Sequence, residues 1–216
     1  MAMKLVNFAS LDPAIVNSGR SGLGNASSLD KEVWDEFHAD WEKLAIESEQ
    51  LRHKLERGYE QDAIADAVDD EFSLEDFTGE TKQVLTAQRV KQQFFRRAVL
   101  SSYRGRCCMS GLSEPRLLIA SHIVPWSKDK ANRLNPSNGL CLSAIHDKAF
   151  DKGLITLSDD LRIILSDAIQ QSSDAFVHQV LLPLADKAIE LPERFSPSPD
   201  FILRHRSEVF VDSQAT

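Results

Sequence analysis

Between Leu117 and Leu165 the chain is cut into short apolar runs by turn-forming residues, and this punctuation constrains the fold more than any other feature. Leu117 to Val124 is one run and Gly139 to Leu142 a second. Leu154 to Leu157 and Leu161 to Leu165 read as a hairpin across Ser158-Asp159-Asp160. Runs of about four to eight residues suit strands and are too short for self-supporting helices. Between the second run and the hairpin, Ser143 to Lys152 reads as a helix. The expected fold class is therefore α+β.

The flanks read differently. Residues 1 to about 27 hold Asp12-Pro13, Ser18-Gly19, Ser21-Gly22 and Gly24-Asn25, a density of turn formers that predicts an irregular arm. A helix is expected to begin near Ser28, with Trp34, Phe37, Trp41, Leu44, Leu51 and Leu55 on one face. The two tryptophans fall on that apolar stripe and read as core anchors. Ala63 to Gly79 reads as a short acidic helix followed by a linker. A second helix is expected over Lys82 to Tyr103, with Leu85, Val90, Phe94, Ala98 and Val99 among basic residues and a stop at Gly105. Asp167 to Ile189 reads as helical with a break or kink at Pro183, and Pro192, Pro197 and Pro199 introduce a tail ending near Arg206. The expected division is an arm and acidic helical region over 1–80, a basic helix and strand-rich core over 81–166, and a C-terminal helix and tail over 167–216.

Charge follows the same division. The net charge of −8 conceals opposite halves: Asp30 to Glu80 carries 18 acidic and 5 basic residues, whereas Thr81 to Thr216 carries 14 acidic and 18 basic. Lys82, Arg89, Lys91, Arg96, Arg97, Arg104 and Arg106 occur between Thr81 and Cys108 without one carboxylate, a patch able to meet phosphates. No stretch approaches the roughly 18 apolar residues that span a bilayer, and the first ten residues hold no apolar signal region. A cytoplasmic protein without a membrane partner is expected. The three cysteines are odd in number, and Cys107 and Cys108 are adjacent, so a disulfide framework is not expected. They read as small core residues.

Chemistry concentrates in Ala120-Ser121-His122-Ile123-Val124-Pro125-Trp126, Asn138-Gly139-Leu140-Cys141-Leu142 and His146-Asp147-Lys148-Ala149-Phe150-Asp151. With Arg106-Cys107-Cys108-Met109-Ser110-Gly111 before them, these residues resemble the HNH endonuclease family, in particular its standalone bacterial and restriction-enzyme branch. A bare His, Asn, His order occurs by chance in many chains. The Ser-His-Ile-x-Pro-Trp, Asn-Gly-Leu-x-Leu and Phe-Asp-x-Gly-Leu-Ile contexts are far more specific, and the resemblance extends over Arg97 to Leu165.

The resemblance implies a ββα-metal (His-Me finger) nuclease core, DNA as partner, and one divalent ion. Mg²⁺ is expected, with Mn²⁺ or another transition metal as substitutes. His122 takes the place of the general base: one ring nitrogen held by a backbone carbonyl leaves the other free to accept a proton from water near neutral pH. His146 takes the place of a metal ligand. Asn138 takes the place of the amide that ties the loop between the strands, with Gly139 easing the turn. Ser121 departs from the commonest pattern, in which an acidic or histidine ligand precedes the base, and serine is a poor ligand for a hard ion. Asp151 is the first candidate for the second ligand and Asp147 ranks below it. Paired Cys-x-x-Cys knuckles, frequent in the family, cannot be assembled from these cysteines, so no structural zinc is expected.

His38, His53, His178 and His205 fall in no ligand-like cluster and read as surface or packing residues. Arg96, Arg97, Arg104 and Arg106 are the expected DNA contacts, positioning the backbone rather than reading bases. The implied function is a metal-dependent endonuclease hydrolysing DNA phosphodiester bonds, of a kind suited to restriction or phage defence. Two alternatives stand beside it: a non-catalytic nucleic-acid-binding or regulatory module on a decayed HNH core, and a nuclease directed at RNA or modified DNA. A homodimer would suit double-strand cutting, since one active site nicks one strand.

Overall fold

The computed structural model describes residues 28–37, 40–56 and 79–214. The arm over residues 1–27 and nearly all of the acidic stretch that begins at Ala63 lie outside the described residues. The chain divides into two units, Met1–Phe94 and Phe95–Thr216.

The first unit holds helix α1 (Ser28–Phe37), helix α2 (Trp41–Glu56) and the first turns of helix α3 (Gly79–Ser102). The apolar stripe predicts one helix from Ser28, but there are two. Asp40 accepts a hydrogen bond from the Lys43 backbone N–H at 2.9 Å and so caps the start of α2. Phe37 and Leu44 are buried, with Val33, Trp34, Trp41 and Phe94 packed against them, so both tryptophans serve packing. Leu51 is exposed and lies off this contact. Lys91 and Glu42 form an ion pair at 2.7 Å.

The second unit begins with the last turns of α3. Strand β1 (Leu118–His122) and strand β2 (Gly139–Ser143) pair antiparallel, with Ala120 opposite Cys141 and His122 opposite Gly139. Helix α4 (Ala144–Asp151) follows β2 directly, because Ser143 at the end of the strand is also the helix N-cap, its Oγ accepting from the His146 N–H. Strands β3 (Ile155–Leu157) and β4 (Ile163–Leu165) form the second small sheet. β2 and β3 are buried along their whole length, so the core lies around them, with Phe150, Ile123, Ile163 and Ile202 fully enclosed.

Asp167–Ile189 is broken rather than kinked near Pro183, the helix ending at Val180 ahead of a short 3-10 turn, and it is broken once more upstream. The upstream break separates α5 (Asp167–Gln170) from α6 (Ala175–Val180), because Asp174 caps a new start by accepting from the Phe176 and Val177 N–H groups. Pro183 sits in the first turn of a short 3-10 helix, where its missing N–H costs nothing. The expected tail contains helix α7 (Pro199–Glu208), with Phe201, Ile202 and His205 buried. It packs against β3. Gly153, just after α4, has φ +67°, and a Cβ there would lie 2.0 Å from the Val209 carbonyl oxygen. Only glycine permits this approach. The fold is thus α+β, with helices and two small antiparallel sheets. No helix among the described residues is long and apolar enough to cross a membrane.

Candidate active site

His122 closes β1, and its ring is fixed on three sides. Nε2 lies 2.9 Å from the Arg133 carbonyl oxygen, the Phe95 ring stacks on it at 3.8 Å and 9°, and Trp126 meets it edge-on at 5.4 Å and 88°. A carbonyl can only accept, so Nε2 carries the proton and Nδ1 carries the lone pair. Nδ1 has no partner among the described residues, on a side chain that is only partly buried. Burial lowers the His122 pKa below its usual 6.5, with the Arg133 carbonyl acting the other way. The imidazole is therefore neutral at pH 7, with Nδ1 able to accept a proton.

The loop from β1 to β2 is closed by Asn138, which is buried. Its Oδ1 accepts from the Val124 N–H at 2.8 Å, and its Nδ2 donates to the Val124 carbonyl at 3.1 Å and the Asn132 carbonyl at 3.3 Å. Further along, Asp129 accepts from the Asn132 N–H at 3.1 Å and from Arg204 of α7 at 3.0 Å. The loop that supplies the Arg133 carbonyl is thus held from within and from α7. Gly139 does not ease a turn: its backbone is extended, at φ −131° and ψ 143°. It is needed for contact, since a Cβ would lie 2.4 Å from Val99 and 2.9 Å from Phe95, the residue that stacks on His122.

His146 sits in the first turn of α4 and is buried. Its Nδ1 lies 2.9 Å from Ser143 Oγ and 3.3 Å from Cys107 Sγ, while Nε2 is buried without a partner among the described residues. Burial raises the Cys107 thiol, but hydrogen bonds involving His146, Ser110 and Met109 outweigh it and bring the pKa to about 6. A sulfur with thiolate character favours the proton on Nδ1, which leaves the lone pair on Nε2. That is the tautomer a metal ligand requires. All three cysteines are free and buried.

Ser121 is buried with no well-formed hydrogen bond to its hydroxyl. Its nearness still matters to Asp147: burial raises that carboxyl, and the Ser121 hydroxyl and Lys148 partly offset the rise. Asp151, one turn on and exposed, is raised by partial desolvation and then by the Asp147 charge. No three His, Cys, Asp or Glu side chains converge into a metal-holding group among the described residues. The donors present are one unpartnered imidazole nitrogen and two carboxylates that repel each other. A sparse set of this kind suits a hard divalent ion that keeps several waters and takes one or two carboxylates with phosphate oxygens.

The four arginines expected to hold DNA differ in their freedom. Arg96 donates to the Leu118 carbonyl at 2.8 Å and the Pro115 carbonyl at 3.4 Å, fastening α3 to the start of β1. Arg97 is partly buried and engaged. Arg104 pairs with Glu190 at 3.1 Å, and Arg106 is exposed. Phe95, Arg133 and the platform role of Trp126 were not legible in the sequence. The helical period selects Phe94, and Arg133 is one of several basic residues in an irregular loop.

Residues 107–158 match the model of the HNH endonuclease family. The matched segment covers β1, β2, α4 and β3, and so contains His122, Asn138 and His146. HNH nucleases generally use a divalent metal ion. Among solved structures, a modification-dependent TagI restriction endonuclease is similar over 53% of this chain and 37% of that chain, with 21% identity and a TM-score of 0.40. The chain thus spans little more than a third of that protein's length. No curated protein matches the sequence significantly.

Proposed function

We propose that the chain is a metal-dependent endonuclease that hydrolyses DNA phosphodiester bonds through a ββα-metal centre, with His122 as general base. The observation that carries this reading is the fixed His122 ring, proton on Nε2 against the Arg133 carbonyl and lone pair on Nδ1. In hydrolysis, Nδ1 takes a proton from water as the water oxygen bonds to phosphorus, and the bond from phosphorus to the 3′ oxygen breaks. His146 Nε2 and Asp151, with Asp147 as the alternative carboxylate, would hold the divalent ion, expected to be Mg²⁺. When bound, the ion supplies charge neutralisation at the phosphoryl oxygens and the departing oxygen. Asn138 keeps the Arg133 carbonyl in register with His122.

The test is cleavage of supercoiled plasmid in Mg²⁺ or Mn²⁺ by the native protein and by His122→Ala. The native protein is expected to nick and the variant to lose at least ~100-fold in rate, the usual worth of a general base. Binding without nicking by both proteins would establish a DNA-binding module instead. Restriction or phage defence fits such an activity, and RNA and modified DNA belong in the same substrate panel.

A further inference from the structure

Arg133 differs in its partners from most of the arginines of the second unit that are held by other groups. Arg96 is spent on two carbonyls, Arg116 pairs with Glu114, Arg162 with Asp160, Arg204 with Asp129 and Glu208, and Arg206 with Asp159. Arg133 has no carboxylate. Its Nε donates to the Trp126 carbonyl at 2.8 Å, and its guanidinium carbon lies 5.2 Å from the centre of the Trp126 ring. Nη1 and Nη2 have no partner among the described residues. The one acid in the same loop segment, Asp129, is already bound by Arg204.

A partly buried guanidinium fixed by one nitrogen and one ring face, with its outer two donors unspent, is oriented before any ligand arrives. Arginine's rigid fork matches a tetrahedral oxyanion in two parallel hydrogen bonds, and prior orientation reduces the entropy lost on binding. Its place supplies the ligand's identity. The Arg133 carbonyl holds His122 Nε2, and Trp126 touches both the His122 ring and the Arg133 guanidinium. Main chain and side chain of one residue thus serve the base and the space beside it.

We propose that the Arg133 guanidinium, seated on Trp126, is the arm of this centre that binds a backbone phosphate of the nucleic acid at or next to the bond being cut. This rests on the nuclease reading and adds to it a phosphate-binding residue outside the basic helix. Because the side chain and the carbonyl act separately, replacing the side chain removes the phosphate contact and leaves the tether of His122 in place.

The test measures binding and cleavage separately. Binding of a fluorescent DNA duplex by His122→Ala and by His122→Ala with Arg133→Gln is followed from low to high salt. Single-turnover cleavage by native protein, Arg133→Gln and Arg133→Lys is followed against pH. Arg133→Gln is expected to weaken binding about tenfold, lower the salt slope by about one, and slow cleavage by at least about tenfold with the acid limb of the pH profile unmoved. Arg133→Lys, which keeps the charge but not the fork, is expected to hold the salt slope and still cleave about tenfold more slowly. An unchanged salt slope in Arg133→Gln, or a displaced acid limb, would overturn the proposal and make Arg133 a positioning residue for His122. If Arg133→Gln does not fold, Arg133→Lys decides, and native-like cleavage by it sinks the fork. If the native protein cuts no substrate, the nuclease reading fails, and the salt slope still decides whether Arg133 binds phosphate.

Discussion

The two histidines of the proposed centre differ in which ring nitrogen is engaged. His122 is fixed by a carbonyl and an aromatic face, which leaves Nδ1 with the lone pair on a partly buried side chain. His146 is fixed by Ser143 and Cys107, which leaves Nε2 buried with its lone pair. For a general base of lowered pKa, the working form is the neutral one that burial favours. Cleavage under single-turnover conditions should therefore rise with pH to an inflection below 6.5 and stay level through pH 7. An inflection above 7 would show another group acting as base. His122, Asn138 and His146 were legible as letters because the family pattern consists of residue types in a fixed order. Phe95 and Arg133 were not: a stacking ring and a guanidinium seated on an indole are set by tertiary approach, to which periodicity is blind. Gly139 was legible as a glycine but for the wrong reason, since sequence shows where side chains are absent and not what fills the space.

At the level of elements, β1, β2, α4 and the hairpin follow from the punctuation of the sequence, because each is short and closed by its own cap or turn. α7 did not. Three prolines suggested a tail, yet Pro199 stands in the first turn of the helix, where a fixed φ favours initiation. What fastens α7 is His205, stacked on Phe150 at 3.7 Å and linked to the Phe150 carbonyl at 3.1 Å and Thr156 at 2.9 Å. Burial lowers its pKa to about 4, so the fold accepts only the neutral ring. The unfolded chain binds the proton from about pH 6.5 downward, so stability is full above 6.5 and is lost as pH falls toward 4. The shift corresponds to about 3 kcal/mol, and His122, lowered in the same direction, adds to the loss. In denaturant unfolding at pH 7 and pH 4.5, His205→Gln should begin about 1 to 2 kcal/mol less stable and lose distinctly less on acidification than the native protein. Parallel pH curves for the two would show that His205 is not the acid-sensitive joint.

At the scale of the whole molecule, the proposed meeting of an acidic chain with a polyanion turns on where its charges lie. Residues 79–216 carry 15 acidic and 18 basic side chains, a net +3, against −8 for the full sequence. They begin at the start of α3, contain every residue assigned to the centre, and include all of the second unit. Every hydrogen bond cited for His122, Asn138 and His146 is made within that unit, so the fragment should fold with a cooperative thermal transition and retain metal-dependent nicking. It exposes Phe94, which packs against Phe37 and Leu44 in the first unit, and lower solubility follows. With the acidic region removed, the fragment should bind a DNA duplex several-fold more tightly than the full chain at low ionic strength. That gap should close as salt rises, because charges outside direct contact are screened beyond about 10 Å at 0.1 M. A gap that persists at high salt would instead mean that the first unit obstructs DNA by direct contact. A fragment that fails to nick while still folding would mean that the first unit contributes to the centre itself.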